Sequence, residues 1–263
     1  MEMDMKKEKY ENQESLEKHV NENLIEGRNA VLEAFRAGKP IDKLYVLDGC
    51  QDGPVRTIVR EAKKHDTLLQ FVSKERLSKM SETGRHQGVI AYAAAYEYAE
   101  VEDMLALAKE RGEDPFLILL DNIEDPHNLG AIIRTANLAG AHGVIIPKRR
   151  AVGLTATVAK TSAGAINYTP VAKVTNLKKT MEELKEKGLW FVCADMDGEQ
   201  MYGLNLTGPI GLVIGNEGEG VSRLVKETCD FVAAIPMKGE IDSLNASVAA
   251  GVLAYEIVRQ RLG

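Results

Sequence analysis

The sequence predicts two α/β domains joined by an acidic stretch. Two observations support this fold class: short apolar runs alternate with amphipathic segments, and the alternation starts again after residues 98–114. A chain of 263 residues is long enough for two domains of ordinary size. Residues 1–24 are highly charged, so we expect a disordered or flexible tail there. The predicted domains are 25–97 and 115–263, with 98–114 as the linker.

In the smaller domain, predicted strands alternate with predicted helices. The segment from Glu26 to Phe35 is predicted to contain the start of a helix, followed by apolar residues at helical spacing. The remaining segments are predicted as strands at 44–47, 68–72 and 89–94, and as helices near 55–64 and 74–80. This alternation indicates a small α/β domain.

In the larger domain, continuous apolar runs suit strands that are buried on both faces of a parallel sheet. The predicted strands are 116–120, 143–146, 189–194, 210–214 and 231–235. The predicted helices are 129–139, 155–165, 177–186, 220–227 and 243–261. Ligand-binding groups of such a sheet are expected in the loops that follow the strand ends.

Composition narrows the function classes. The net charge of −6 argues against a polybasic nucleic-acid binder, but 26 acidic and 27 basic residues remain outside the two acidic stretches, which leaves room for a local basic face. No apolar run approaches the roughly 20 residues that span a bilayer, and the start of the chain is too charged for a signal peptide. Cys50, Cys193 and Cys229 are widely spaced, so we expect reduced thiols in a cytoplasmic protein and no zinc site.

The first of three polar loops runs from Asp121 to Ala136, with the sequence D-N-I-E-D-P-H-N-L-G-A-I-I-R-T-A. The pair Asp125-Pro126 favours a turn, and we expect Asn128 to cap the helix that follows. Arg134 lies off the core face of that helix. Taken alone, it is more often a surface arginine in an ordinary ion pair.

The second and third loops also follow apolar strands. The second, from Leu212 to Gly220, has glycines that allow a tight turn and a close approach of the backbone to a ligand, but their spacing does not match a dinucleotide-binding fingerprint. The third, from Ile235 to Glu256, passes through a proline turn and a polar loop into a narrow helix that we expect to start at Ser243. The apolar stripe of that helix suits a core or a subunit interface.

In this order and at these spacings, the three loops resemble the signature motifs of the SpoU-type (TrmH family) RNA ribose 2′-O-methyltransferases. Within that family the chain is most similar to the bacterial enzymes that methylate a guanosine ribose in 23S rRNA. The resemblance extends from Ile25 to Arg261. It includes E-G-R-N-A-V-L-E-A at the start of the small domain, H-Q-G-V at 86–89 and H-G-V-I-I-P-K at 142–148.

The resemblance implies a fold and partners that periodicity cannot reveal. The C-terminal α/β domain is expected to carry a deep trefoil knot, a rare exception to unknotted topology. The small N-terminal α/β domain is expected to resemble a ribosomal protein and to bind the RNA substrate. S-adenosylmethionine is the implied methyl donor, with no metal, and the implied working form is a homodimer.

The resemblance also assigns site residues. The residues implied to bind the cofactor are Gly215, Ile235 and Leu244. The residues implied to form the catalytic region are Asn128, Arg134, Glu217, Ser243 and Asn245. Ala246 departs from the valine that is more common in the family, which affects packing volume and not chemistry. Among cations of the small domain, Arg28 and Arg85 are the expected RNA contacts because they lie at the ends of elements, where side chains are presented freely.

Several roles stay open at this point. The family proposal makes Arg134 the base, yet a guanidinium remains protonated in proteins, so a bidentate clamp on an RNA phosphate is the physically easier role. Glu217 either orients neighbouring groups or caps a helix. The small domain favours ribosomal RNA as the substrate; transfer RNA is the first alternative. A non-catalytic RNA-binding or ribosome assembly factor is the second.

Overall fold

The computed structural model describes residues 23–241 and 243–263, so nearly all of the predicted tail at 1–24 lies outside the described residues. The chain divides into two compact units, with the boundary between Ala94 and Ala95. None of the helices in the described ranges is both long and apolar enough to cross a membrane.

The first unit is a four-stranded sheet with helices on its faces. Its strands are β1 (Leu24–Glu26), β2 (Ile41–Leu47), β3 (Leu68–Val72) and β4 (Val89–Ala93), in the order β1-β4-β2-β3. Its helices are α1 (Arg28–Arg36), α2 (Gly53–Lys64) and α3 (Lys74–Met80). Strands β2 and β3 are parallel, whereas β4 runs antiparallel to both β1 and β2. The expected α/β domain is therefore confirmed, with β1 as an added strand.

Helix α2 shows how the local sequence produces these elements. Asp52 precedes it, and its carboxylate accepts a hydrogen bond from the backbone N–H of Val55, which satisfies one of the free donors at the helix start. Val55, Ile58 and Ala62 recur at helical spacing and are buried against the sheet. The helix ends at a pair of lysines, which interact favourably with the helix dipole.

The second unit is built on a six-stranded sheet in which every neighbouring pair is parallel, in the order β10-β8-β9-β5-β6-β7. Its strands are β5 (Phe116–Leu120), β6 (Gly143–Pro147), β7 (Val171–Val174), β8 (Trp190–Gln200), β9 (Ile210–Ile214) and β10 (Phe231–Ala234). Its helices are α4 (Val101–Arg111), α5 (Pro126–Leu138), α6 (Ala156–Thr161), α7 (Leu177–Glu186), α8 (Arg223–Lys226) and α9 (Ala246–Leu262).

The central strands of this sheet are buried along their whole length. All residues of β5 and β9 are buried, as a parallel sheet covered on both faces requires. One apolar cluster packs α5 and α9 against one face, and a second packs α4 and α7 against the other. The carboxyl ends of β8, β9 and β5 therefore meet at one edge of a rigid platform.

The prediction of a linker at 98–114 was wrong. This stretch contains α4, in which Met104 and Ala108 are fully buried in the core of the second unit. Its acidic residues lie on the exposed side, and Glu100 and Asp103 form a capping box at its start. The acidic composition concealed an amphipathic helix because the buried stripe is short.

Candidate active site

A cavity of about 340 Å³ lies where β9 and β10 end in the second unit, beside residues 194–197 of β8. Part of its wall is apolar and includes Ile214, Ala233 and Ala249. The rest is polar and includes the carboxylates of Asp195, Asp197, Glu217 and Glu219. The position agrees with the rule that ligands of open parallel sheets bind outside the carboxyl ends of the strands.

The structure brings together most of the residues singled out in the sequence. Five of them line this cavity: Gly215, Glu217, Ile235, Ser243 and Leu244. They come from two loops far apart in the chain, one after β9 and one after β10. Asn128, Arg134 and Asn245 do not line the cavity.

Glu217 links all three loops through one carboxylate oxygen. Its Oε1 accepts hydrogen bonds from Asn128 Nδ2 at 2.6 Å and from Asn245 Nδ2 at 2.9 Å. The same Nδ2 of Asn245 also donates to Asn128 Oδ1 at 2.9 Å. Bonds to an ionised acceptor are stronger than neutral ones, so this network fixes the loops relative to one another. We refer to Asn128, Glu217 and Asn245 as the three-loop network.

The start of α9 depends on the same network. Asn245 precedes the helix, and its Oδ1 accepts hydrogen bonds from the backbone N–H groups of Ser247 and Val248. Glu217 Oε1 accepts a further bond from Ala246 N at 3.2 Å. Helix α9 therefore begins at Ala246, later than expected, and Ser243 lies in the loop before it. The capping role considered for Glu217 applies to this distant helix.

The expectation that Asn128 caps its own helix was wrong. Asp125 occupies that position, and its Oδ1 accepts from His127 N at 2.8 Å, while Pro126 starts α5. Asn128 lies within the first turn and is buried. Its side chain points away from the helix start and joins Glu217 and Asn245, which a local sequence pattern cannot reveal.

Arg134 has different surroundings. It is exposed on α5, and its side chain makes no hydrogen bond or ion pair with any residue that the structure describes. The small residues Gly130 and Ala131 lie one turn before it, and Leu138, which follows one turn later, is 65% exposed. The surface ion pair that was the ordinary alternative is therefore absent from the described chain.

Gly215 is required by the loop itself. A Cβ atom built at this position would overlap the backbone of Gly220 and Val221, because the loop after β9 folds back on its own start. Asn216 stabilises the same turn, since its Oδ1 accepts from Gly218 N and Glu219 N. A larger residue at Gly215 would disturb the fold before it affected any ligand.

Sequence reasoning missed the polar second half of β8, which contributes Asp195 and Asp197 to the cavity. Asp195 lines the cavity and forms an ion pair with Lys226 at 2.6 Å. Partial burial alone would raise the pKa of Asp195, but the hydrogen bond and charge of Lys226 hold it below its ordinary value. The signal was present in C-A-D-M-D at 193–197, because these polar residues follow the apolar first part of β8.

The two cations singled out in the first unit lie near each other. Arg28 donates through its backbone N and its Nε to Gln87 and forms an ion pair with Asp52 at 2.7 Å. Arg85 is exposed in the loop that leads to Gln87. Glu26 orders this loop by accepting hydrogen bonds from Ser81 and Thr83, which outweigh partial burial and lower the pKa of Glu26.

Comparison with known proteins identifies both units. Residues 115–255 match the SpoU rRNA methylase family, and residues 24–99 match the model for RNA 2′-O ribose methyltransferase substrate binding. A protein of Bacillus subtilis (strain 168) named as a TrmH family tRNA/rRNA methyltransferase, YacO, is 51% identical over 237 residues. The match covers 89% of this chain and 94% of the relative. A relative from Staphylococcus saprophyticus with the same family name is 46% identical, and the match covers 92% of this chain and 97% of the relative.

Solved structures agree with the sequence matches. The SpoU methyltransferase AviRb from Streptomyces viridochromogenes, in complex with the cofactor AdoMet, superposes with a TM-score of 0.58 and 26% identity. The superposition covers 91% of this chain and 90% of that one. The fold, the substrate-binding unit and the extent of the matches lead to one conclusion: the chain belongs to the SpoU rRNA methylase (TrmH) family and is an RNA methyltransferase.

Proposed function

We propose that this enzyme transfers a methyl group from S-adenosylmethionine to a ribose 2′-hydroxyl of RNA, most favourably a guanosine of 23S rRNA. The observation that carries the proposal is the convergence of Gly215, Ile235 and Leu244 on one cavity beside the three-loop network. The donor is S-adenosylmethionine, as in the AviRb complex.

The cavity suits this donor in size and in chemistry. Its volume of about 340 Å³ lies within the ordinary range for small-molecule sites. The apolar wall suits an adenine ring, whereas the carboxylates on the rim suit the ammonium and sulfonium cations. The methionyl group and the ring therefore have separate complementary surfaces, as a bent donor requires.

In the reaction the ribose oxygen forms a bond to the methyl carbon as the carbon–sulfur bond breaks. The sulfur keeps the electron pair, which yields S-adenosylhomocysteine, and the hydroxyl proton leaves to a phosphate or to solvent. The enzyme must hold oxygen, carbon and sulfur in line. We assign this alignment to the three-loop network on the donor side and to Arg134 on the RNA side.

Arg134 is the residue best suited to hold the RNA. An exposed guanidinium without a partner among the described residues keeps its donors for a phosphate, and bidentate binding would orient the neighbouring ribose. We favour this phosphate-clamp role over that of a base. Asn128, Glu217 and Asn245 act as positioning residues, since their polar groups bond mainly to one another. Ser243, on the cavity wall, would contact donor or ribose.

We further propose that the working form is a homodimer and that the methylase unit is knotted. Val248 and Tyr255 lie two turns apart on α9, and each is 50% exposed, which leaves an apolar face available for a second copy. For the knot, the supporting feature is the strand order, in which β9 lies between β8 and β5. The three cysteines are free, which suits the cytoplasm, where we place the enzyme.

Ribosomal RNA is favoured over transfer RNA because the second unit matches a family described as rRNA methylases and the chain also has a separate substrate-binding unit. The names of the relatives include both classes of RNA. A non-catalytic assembly factor is disfavoured, because the three-loop network and a cavity of suitable size are both present.

The test is methyl transfer from labelled S-adenosylmethionine to separated pools of unmodified RNA. We expect incorporation into protein-free 23S rRNA and background incorporation into transfer RNA. Incorporation confined to transfer RNA would contradict the ribosomal RNA assignment but leave the proposed reaction unchanged. No donor binding by calorimetry, together with no transfer to either pool, would favour the assembly factor.

A further inference from the structure

The first unit contains a second cavity, of about 400 Å³, at the end of β2 and the start of α2. Val55 and Val59 of α2 form its apolar wall, and Phe71 of the edge strand β3 closes one side. Asp48, Gln51 and Arg56 supply polar groups around it. Neither the three signature loops nor the donor cavity uses any of these residues.

Phe71 is unusual in its position. It is paired in register with Val46, so both side chains point to the face of the sheet that α2 covers. Val46 is fully buried, whereas Phe71 is 53% exposed. Among the described residues of the first unit, no other large apolar side chain is as exposed. An aromatic ring held open on a rigid strand offers a flat surface for stacking.

The polar groups around the ring are suited to a nucleobase. The carboxylate of Asp48 accepts hydrogen bonds, and the amide of Gln51 both donates and accepts, so together they can bond to the edge of a base. Arg56 is exposed and its side chain makes no hydrogen bond or ion pair within the described residues, so its charge is available for a phosphate. A ring, an amide and a cation in one hollow is a combination found where unstacked bases bind.

The cavity also adjoins the loops already singled out for RNA. Arg28 Nη2 lies 3.7 Å from the Sγ of Cys50, which lines the cavity, and it forms the ion pair with Asp52. Arg28 therefore connects the cavity loop with the loop that carries Arg85 and Gln87. A strand of RNA that contacts Arg85 would pass close to the mouth of the cavity.

We propose that this cavity accepts one unstacked base of the RNA substrate, with the base stacked on Phe71 and its phosphate bound by Arg56. The inference rests on the proposed function and gives the first unit a specific task. RNA proteins read loop and bulge bases in this way, because such bases can leave the helix at low cost. The cavity would select RNA by an exposed base other than the methylated nucleotide.

The experiment uses the full chain and two pairs of variants. Phe71→Ala removes the stacking surface and Phe71→Tyr keeps it. Arg56→Gln removes the cation at the cavity, and Arg60→Gln removes an exposed cation one turn further along α2 that does not line it. Two quantities are measured for each: binding of fluorescently labelled 23S rRNA transcript, and kcat/KM for its methylation. Calorimetric affinity for S-adenosylmethionine serves as the readout of the other unit.

We expect Phe71→Ala to weaken RNA binding about tenfold, the ordinary effect of losing one stacked base, with a matching rise in KM. Phe71→Tyr and Arg60→Gln stay within twofold of the wild type, Arg56→Gln weakens binding several-fold, and donor affinity is unchanged in all four. Wild-type binding in both Phe71→Ala and Arg56→Gln would overturn the inference while the proposed function stands. If the wild type binds no RNA, both fail. If it binds RNA but transfers no methyl group, the binding assay alone decides the inference.

Discussion

Asn128 and Arg134 belong to the same helix, and the family resemblance places both in the catalytic region, yet their surroundings differ. Asn128 is buried, and its amide bonds to Glu217 and Asn245. Arg134 is exposed and bonds to nothing that the structure describes. A side chain whose hydrogen bonds are all made within the protein fixes the positions of its neighbours, whereas a cation without a protein partner is available to a ligand. The comparison separates residues that build the site from the residue that we propose to bind the RNA.

The largest expected effect comes from substituting Arg134, the residue of the comparison whose side chain has no partner among the described residues. Arg134→Lys keeps the charge but loses the planar fork, so methyl transfer should fall by about a hundredfold or more. Donor affinity should stay within a few-fold, because Arg134 does not line the donor cavity. Single-turnover transfer and calorimetry measure the two quantities.

The matched control for Arg134 is Arg223→Lys. Arg223 is also exposed in the second unit, but it pairs with Glu227, which directly follows its helix. The Arg223→Lys enzyme should transfer methyl groups at the wild-type rate. If the Arg134→Lys enzyme retains most of the turnover, Arg134 is an ordinary surface residue.

The next effect tests the network. Glu217→Gln places an amide where one carboxylate oxygen accepts bonds from Asn128, Asn245 and the start of α9. Donor affinity should fall about tenfold as the two cavity loops loosen, and the free energy of unfolding should fall by about 1 kcal/mol.

Glu219→Gln is the control for stability. Glu219 lines the same cavity, but its side chain makes no hydrogen bond or ion pair with the described residues. Its melting temperature should equal that of the wild type. If both variants lose the same stability, the network contributes nothing beyond local charge.

A smaller effect distinguishes Asn128 from its neighbour. Asp125→Ala removes the helix cap and should cost about 1 kcal/mol of stability with little change in turnover. Asn128→Ala should lower turnover about tenfold, because it removes a member of the network. Chemical denaturation and transfer rates, measured on both variants, check the expectation. The reverse pattern would restore Asn128 as a simple capping residue.

A substitution at the proposed dimer interface should affect the three-loop network least. Tyr255→Arg places a charge on the exposed apolar face of α9, away from Glu217 and Asn245. Light scattering should report a dimer near twice 28.8 kDa for the wild type and a monomer for the variant. Donor affinity should change little. A wild-type monomer with full activity would remove the dimer from the account.

The fold was largely predictable, because periodicity reflects burial. Helix 177–186 and strand 68–72 were predicted with the observed bounds, and the strands at 116–120 and 210–214 are apolar throughout. Three elements escaped prediction. Strands β1 and β7 have only three and four residues, and the buried stripe of α4 was concealed by acidic neighbours.

The site was predictable only in part. Each loop could be recognised because polar residues follow an apolar strand, and the resemblance named which of them to consider. The bonds of Asn128 to Glu217 and Asn245 span 89 and 117 residues of chain, so no local pattern predicts them. The cavity at Phe71 was equally hidden, since an exposed aromatic residue on a strand looks like a core residue in the sequence.

The most direct test of the central claim asks where the methyl group goes. RNA labelled by the wild type and by Arg134→Lys, at saturating donor, is hydrolysed with alkali, which cleaves beside a free 2′-hydroxyl but not beside a methylated one. The account predicts that wild-type label appears in alkali-stable dinucleotides and that Arg134→Lys yields almost none. Label released in mononucleotides would contradict ribose methylation, and equal label from both enzymes would contradict the role of Arg134.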